Sequence, residues 1–528
     1  MLSPQMNTKL FLFLIFLLTF VAYFPSLFVP FYLDDLDSIV NNPTFNNGNV
    51  GVILQAYGLR AVGYLSLYGN YLISPDNTLG YHIVNISIHL LNGLVIYKLC
   101  YVICDFLKVP VNKSVVLIVL AVWLLHPLNT QAVTYIVQRL ASLATLFTLF
   151  SLLCYLYWRT SYKPIWIVLS TISFALAIFT KQNVVFLPLF IFLVEITFSS
   201  SKIKQKLFVF SLLLFFSFAL LYPFMTEFLQ KIDLATREIK TITRLDYFNT
   251  QLFVHWLYLK KFLLIEPLTL TIDVDLIKDE VAIFWSYLLH TLILLSAWLL
   301  RKRYKLITFS VLFFYTAHLV ESSLIPITDL AFEHRTYMAN IALSFIFVAL
   351  LKQLIMKLKL PDKVFVGISC VVIIFLAITT FYRNQLWQQP KAFFEHDFQQ
   401  APNNPRNLEV IGQYYAKNGE LDNAVDLLSK SLNINFKKGR LTVSSVTNLM
   451  KVYTEQGNYQ GAVITGQKSM FYLRSSANKS KVLSAMAFVY TKMQMCDFAI
   501  GLASTAKKLN SNNQEAKQVL AFCNEKNG

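Results

Sequence analysis

Two adjacent carboxylates, Asp34 and Asp35, with a third at Asp37, follow directly on a long apolar run, Leu10 to Pro30. A carboxylate partly withdrawn from water has a raised pKa and can take the proton of a hydroxyl, which makes Asp34 and Asp35 the general-base candidates. The same DDxD spacing would let Asp34, Asp35 and Asp37 share a divalent cation with a phosphate, although no second carboxylate cluster supports a metal. A solvated interfacial loop is the plainer alternative.

Isolated cations form the second set. Arg139 lies near the start of an apolar run, Lys181 in the tight turn Lys181-Gln182-Asn183, and Arg335 in Glu333-His334-Arg335-Thr336-Tyr337. Such groups near lipid suit the phosphate of a membrane-borne carrier. Snorkelling to headgroups explains any one of them, and all three less readily. His126-Pro127-Leu128-Asn129 closes another apolar run. His82 and His89 share a helix face with Asn85 and Asn92, a pattern suited to hydrogen bonds between helices. No GxSxG or HExxH motif is present.

The elements that position these residues are membrane helices. The chain has 528 residues, 56% hydrophobic and 14% charged, with a mean hydropathy of +0.52. Soluble proteins carry roughly a quarter charged residues, so the composition is that of a polytopic membrane protein. Its net charge of +17 lies mostly in short loops between apolar runs, a topological signature and not a nucleic-acid surface. Runs long enough to span fall at 10–29, 80–104, 113–126, 131–157, 164–180, 183–199, 206–224, 282–300, 305–322, 336–356 and 363–382.

Alternate loops are basic: Lys9, Lys98 to Lys113, Arg159 and Lys163, Lys202 to Lys206, Arg301 to Lys305, and Lys352 to Lys363. These face the cytoplasm by the positive-inside rule. The opposite set holds Asp34, Asp35, Asp37, Arg60, His126, Arg139, Lys181, Glu321 and Glu333 to Arg335. Residues 244–266 read as an amphipathic helix on the outer interface. The sum is about eleven spans, with twelve as the alternative, a cytoplasmic N-terminus and an external C-terminus. The first apolar run lacks a small-residue cleavage site and is expected to remain as an anchor.

From about residue 385 the chain turns polar. Tyr415 and Ala424, Tyr453 and Ala462, and Tyr490 and Ala499 are each nine apart and recur every 37–38 residues, with Gly419 and Gly457 four after their tyrosines. This is the spacing of stacked helical hairpins and resembles the tetratricopeptide repeat, with Gln514 to Asn524 as a capping helix. An ordinary helical bundle is the alternative. The expected fold is all-α, a membrane bundle over 1–384 followed by an extracytoplasmic α-solenoid over 385–528. Of six cysteines, Cys496 and Cys523 could bridge in an oxidising compartment.

The order of motifs is recognisable. The Asp34-Asp35 loop is followed by Gly80-Tyr81-His82-Ile83-Val84-Asn85 with His89 and Asn92. Then come His126-Pro127, Ala132-Val133-Thr134-Tyr135-Ile136-Val137 with Arg139, Thr180-Lys181, Glu333-His334-Arg335-Thr336-Tyr337 and the repeat tail. The chain resembles the transmembrane and tetratricopeptide-repeat O-mannosyltransferases that act on cadherins, and their bacterial relatives, in the GT-C superfamily. The resemblance implies a polyprenyl-phosphate sugar donor and an inverting transfer to a Ser or Thr hydroxyl of a protein on the external side. It implies Asp34 or Asp35 as base. Glu333, His334 and Arg335, with Lys181 and Arg139, would hold the donor phosphate, and Arg60, His82, His89, His126 and Tyr337 would line the substrate pocket. Three positions depart from the family pattern: Arg60-Ala61-Val62 replaces Arg-Pro-Leu, and Gln131 and Gln182 replace acids.

The partners so implied are a lipid-linked sugar, a protein acceptor brought by the repeats, and membrane lipid. Nucleic acid is not among them. No cofactor is required beyond an optional divalent cation. The Lys/Asn-rich, compact chain points to a bacterial inner membrane with the tail in the periplasm. Transfer to a lipid or an envelope polysaccharide is the competing enzymatic reading, and a non-catalytic scaffold that assembles partners through its repeats is the competing class. Both stay open at this point.

Overall fold

In a computed structural model, residues 7–46, 48–198, 242–322, 326, 327, 329–438, 441–473 and 475–527 are described here. The expected span 206–224 and Lys202, Lys204 and Lys206 lie outside them. Every regular element among the described residues is a helix. The chain divides into two units, Met1–Gln389 and Pro390–Gly528.

The first unit contains, in order, α1 Thr8–Tyr23, α2 Val50–Tyr57, α3 Ala61–Ile73, α4 Thr78–Leu107, α5 Lys113–Leu124, α6 Thr130–Thr134 and α7 Arg139–Ser161. These are followed by α8 Pro164–Ile178, α9 Leu187–Phe198, α10 Arg244–Phe262, α11 Glu280–Leu299, α12 Lys305–His318, α13 Ala339–Lys357 and α14 Asp362–Trp387. Seven helical stretches among the described residues are long and apolar enough to cross a membrane, or eight if the bent pair formed by α5 and Pro127–Thr134 counts as one. The described residues therefore do not confirm the expected count of eleven. Two of the shortfalls, Pro164–Ile178 and Gln182–Phe198, are apolar but short. One stretch, Val50–Ile73, was not expected at all: its Tyr, Gly, Ser, Gln and Asn residues dilute the hydropathy that marks a span.

α5 shows how the bundle is organised. Val116 to Leu124 are buried on every face, as expected of a helix that is apolar all round and surrounded by others. Past Leu124 the chain bends by 49° and breaks into a 3-10 turn at Pro127–Asn129, the short α6 and a second 3-10 turn at Ile136–Gln138. Irregular backbone at membrane depth is tolerated only where protein satisfies its polar groups. Here protein does so. Asn129 donates to Trp123 O at 2.7 Å, Thr380 to Leu125 O at 2.7 Å, and Thr134 to the Asn384 side chain at 2.5 Å.

α10 corrects the reading of 244–266 as an interfacial helix. Its Tyr247, Gln251, His255, Tyr258 and Lys261 are buried within protein, and His290 of α11 and His318 of α12 pack on His255. At the other end of the bundle Arg159 pairs with the buried Glu195 at 2.5 Å, which compensates an acid that lipid would not tolerate alone.

The second unit contains α15 Pro390–Gln400, α16 Pro405–Lys417, α17 Leu421–Lys438, α18 Val443–Glu455, α19 Tyr459–Met470, α20 Ser476–Lys492, α21 Cys496–Leu509 and α22 Gln514–Asn527. The helices pack as successive hairpins. Ala424, Ala462 and Ala499 are fully buried, and their small side chains let each second helix close on the first. Gly419 and Gly457 turn the first two hairpins at φ +81° and +78°. Gln494 occupies the matching place in the third, at φ +61°. Cys496 and Cys523 form a disulfide between α21 and α22.

Candidate active site

The first loop separates the two aspartates. Asp35 is 1% exposed, and its carboxylate accepts from the backbone N–H of Tyr32 at 3.0 Å and of Val137 at 2.8 Å. Burial pushes its pKa up to about 8, while those two N–H groups pull it down and Asp34 adds to the rise. Both oxygens are thus committed to fastening the loop onto the segment after α6. Asp34 is exposed, and its backbone N–H donates to the Tyr135 hydroxyl at 2.9 Å. Leu33, just before it, has φ +37°, a strained value for a residue with a Cβ. A π-turn follows at Leu36–Val40. The loop is anchored from below as well: the Tyr32 hydroxyl donates to Trp387 O at 2.6 Å. With Asp35 engaged in this way, Asp34, Asp35 and Asp37 do not close into a cation cage. Among the described residues no three His, Cys, Asp or Glu side chains gather for a metal.

The second group is built around a charge balance. Lys181 pairs with Glu321 at 2.9 Å, and Asn183 donates to the same carboxylate at 3.2 Å. Burial works to raise the Glu321 pKa, but Lys181, Arg335 and His334 hold it at about 2. Burial lowers the Lys181 pKa; Glu321 opposes this, and Arg335 and Arg60 reinforce it. Arg60, Lys181, Arg335 and His334 therefore share one electrostatic field with Glu321. Arg335 lies over the Phe332 ring at 5.4 Å, and among the described residues its guanidinium makes one long hydrogen bond, Nη1 to Leu330 O at 3.4 Å. Its donors remain largely uncommitted.

The other candidates have structural partners. Arg139 is fully buried and gives four of its five N–H groups to neutral acceptors: Asn85 and Asn70 side chains at 2.6 Å each, Ser66 O at 2.8 Å and Tyr81 O at 2.9 Å. It clamps α3, α4 and α7 together and has little left for a phosphate. Glu333 accepts from Lys261 at 3.1 Å and from the Thr269 N–H at 2.7 Å, with Arg383 at 3.8 Å. His82 meets Val29 O at 2.9 Å, His89 joins the Tyr337 hydroxyl at 2.7 Å to Leu124 O at 2.9 Å, and His126 meets Phe262 O at 2.8 Å. These histidines and Tyr337 tie helices together beneath the loops.

One segment joins the two groups. Gln131 accepts from the His334 N–H at 2.8 Å, Tyr135 meets Asp34, and Val137 meets Asp35. Gln131 lies in α6 and Tyr135 directly follows it, four residues on. The two positions where amides replace acids also fall on this site: Gln131 at His334, and Gln182 accepting from Arg60 Nε at 3.4 Å. Tyr135, Glu321, Lys261 and Arg383 were not among the candidate site residues, although Tyr135 stood in a quoted motif and Glu321 in the outward set. Arg383 carried a signal, being a lone cation at the end of an apolar run, and Lys261 is one of two adjacent lysines in an aromatic stretch.

No family model matches the chain. It is similar to Protein O-mannosyl-transferase F38B6.6 of Caenorhabditis elegans, 32% identical over 141 residues, which is 23% of this chain and 19% of that protein. It is similar also to Protein O-mannosyl-transferase TMTC3 of Homo sapiens, 29% identical over 132 residues, 22% of this chain and 14% of that protein. The matches thus span less than a fifth of either relative. Among solved structures, a chain of the APC/C hetero-tetramer Cut9-Hcn1 aligns over 92% of this chain and 94% of its own at 12% identity. Its TM-score of 0.25 is too low to bear on the fold.

Proposed function

We propose that this protein is a glycosyltransferase of the bacterial inner membrane that moves a sugar from a polyprenyl-phosphate donor to a Ser or Thr hydroxyl of a protein on the periplasmic face. The observation that carries the reading is the link of an exposed aspartate, Asp34, to a cation group around Arg335 and Lys181 through one buried segment, residues 131–137. The partial similarity to two proteins named O-mannosyl-transferases supports the same chemistry.

In this mechanism Asp34 takes the proton of the acceptor hydroxyl as its oxygen bonds to the anomeric carbon. The bond from that carbon to the phosphate oxygen breaks on the opposite side, so a single displacement inverts the configuration. The leaving polyprenyl phosphate passes from one negative charge to two, and preorganised cations stabilise that change most where water is excluded. Arg335 and Lys181 supply them. Asp35 and Arg139 are positioning residues. The disulfide between Cys496 and Cys523 fits a tail in an oxidising compartment, where the repeats would bring a protein acceptor.

The test is turnover by the purified protein in nanodiscs with polyprenyl-phosphate mannose or glucose and Ser/Thr peptides. Transfer to a peptide that disappears with Asp34→Asn and Arg335→Gln is the expected result. Transfer to lipid or glycan acceptors alone would redirect the acceptor assignment. No transfer from any lipid donor by folded protein would overturn the enzyme reading in favour of a scaffold.

A further inference from the structure

The second unit has two unlike edges. Its hairpin turns, at 418–420, 456–458 and 493–495, have Glu420, Asp422, Glu455 and Asp497 beside them. The links between hairpins, at 441–442, 471–473 and 510–513, lie at the opposite ends of the same antiparallel helices. The stretches 433–445, 466–483 and 505–514 around these links contain no acid, and the two acids that border them, Glu409 and Glu515, accept from the Ser445 and Ser484 hydroxyls at 2.9 and 2.6 Å. These stretches carry the exposed Lys437, Lys468, Lys481, Lys507 and Lys508.

The same edge projects apolar groups that the fold leaves uncovered. Phe471 is 90% exposed, the highest value among the large hydrophobic side chains of the described residues, and Tyr472 beside it is 56% exposed. Tyr472 is braced by Phe436, with ring centroids 4.9 Å apart, so the pair is presented on a fixed support. A solenoid gains nothing in its own stability from a phenylalanine held in water. Aromatic rings flanked by lysines are the composition of segments that rest at the headgroup level of an anionic bilayer.

We propose that this basic, aromatic edge of the second unit docks on an anionic phospholipid surface, with Phe471 and Tyr472 inserted among the headgroups and the lysines paired with lipid phosphates. Charge complementarity selects an anionic partner. Phe471 stands clear of any groove and needs no pocket on the other side, which favours a fluid bilayer over an acidic protein. The membrane helices of the first unit hold the surface within reach, so even weak contacts are populated. Each lysine near such a surface strengthens the contact by about fivefold.

The test uses the full chain in nanodiscs, with Cys370→Ser to remove the exposed free thiol; the other free cysteines are buried. A spin label at Phe471→Cys is read by its accessibility to oxygen and to a water-soluble nickel chelate. The expected result, in discs containing phosphatidylglycerol, is an oxygen-accessible, nickel-protected label. Protection falls on the order of tenfold in phosphatidylcholine discs or with Lys507→Glu/Lys508→Glu. A label at Glu455→Cys, on the other edge, stays in water throughout. Equal nickel accessibility in both discs would overturn the proposal, as would protection that ignores anionic lipid or appears only on adding an acidic polypeptide. The outcome is independent of sugar transfer.

Discussion

Replacing Asp34 by Asn removes a proton acceptor while keeping size and an exposed position. Turnover should fall by about 10²- to 10⁴-fold with an unchanged melting temperature, measured on the same nanodisc sample. Asp35→Asn should act in the opposite sense. An amide can accept from only one of the Tyr32 and Val137 N–H groups, so the variant should lose about 1–3 kcal/mol of stability by thermal unfolding. The ionised form has its own signature. A carboxyl whose folded pKa is raised from 3.8 to about 8 contributes stability that is intact below 3.8 and lost as pH rises through about 8. The wild-type melting temperature should therefore decline across that interval, and Asp35→Asn should flatten this part of the profile. Both aspartates were legible in the sequence because charge at a span end stands out. Which one is exposed was not, because that depends on Val137, 102 residues away. Arg139 misled for the same reason. Its lack of acidic neighbours in sequence looked like readiness for phosphate, yet neutral acceptors on α3 and α4 already hold it.

At the scale of elements, the repeat was written plainly, since Tyr, Gly and Ala recur at fixed offsets and each does a geometric task. Its weak third copy has a physical cost. Gln494 adopts the left-handed conformation that glycine takes at Gly419 and Gly457, and a residue with a Cβ loses roughly 1 kcal/mol or more there. Gln494→Gly should raise the stability of the tail by about 1 kcal/mol, read as slower proteolysis or a higher denaturant midpoint. The membrane elements were legible where apolar runs were pure, as in α1 and α5. They were not where polar residues serve helix contacts. Residues 50–73 were missed on that account. The break after α5 was legible, because His126-Pro127 closes that run, but the irregular path from α6 to α7 was not: Ala132–Val137 shows its apolar content and not the Asn129, Thr134 and Thr380 bonds that permit it.

For the whole molecule, the decisive quantity is which side of the membrane each loop faces. In the proposed reaction the donor sugar arrives on a lipid carrier, so a base at a span end would act only in the leaflet that displays that sugar. By the positive-inside rule the basic links such as Arg159 to Lys163 are expected in the cytoplasm and the Asp34 loop opposite. In the proposed topology the tail with its disulfide shares the oxidising side with that loop. In the Cys370→Ser background, Asp37→Cys and Asn418→Cys should react in intact cells with a thiol reagent that does not cross the membrane. Lys163→Cys should react only after permeabilisation. All three positions are exposed, so burial does not confound the readout. If Asp37→Cys were shielded in intact cells and Asn418→Cys were not, an odd number of crossings would separate base from tail. A protein acceptor delivered by the repeats would then never meet Asp34, and the acceptor would have to be sought in the cytoplasm.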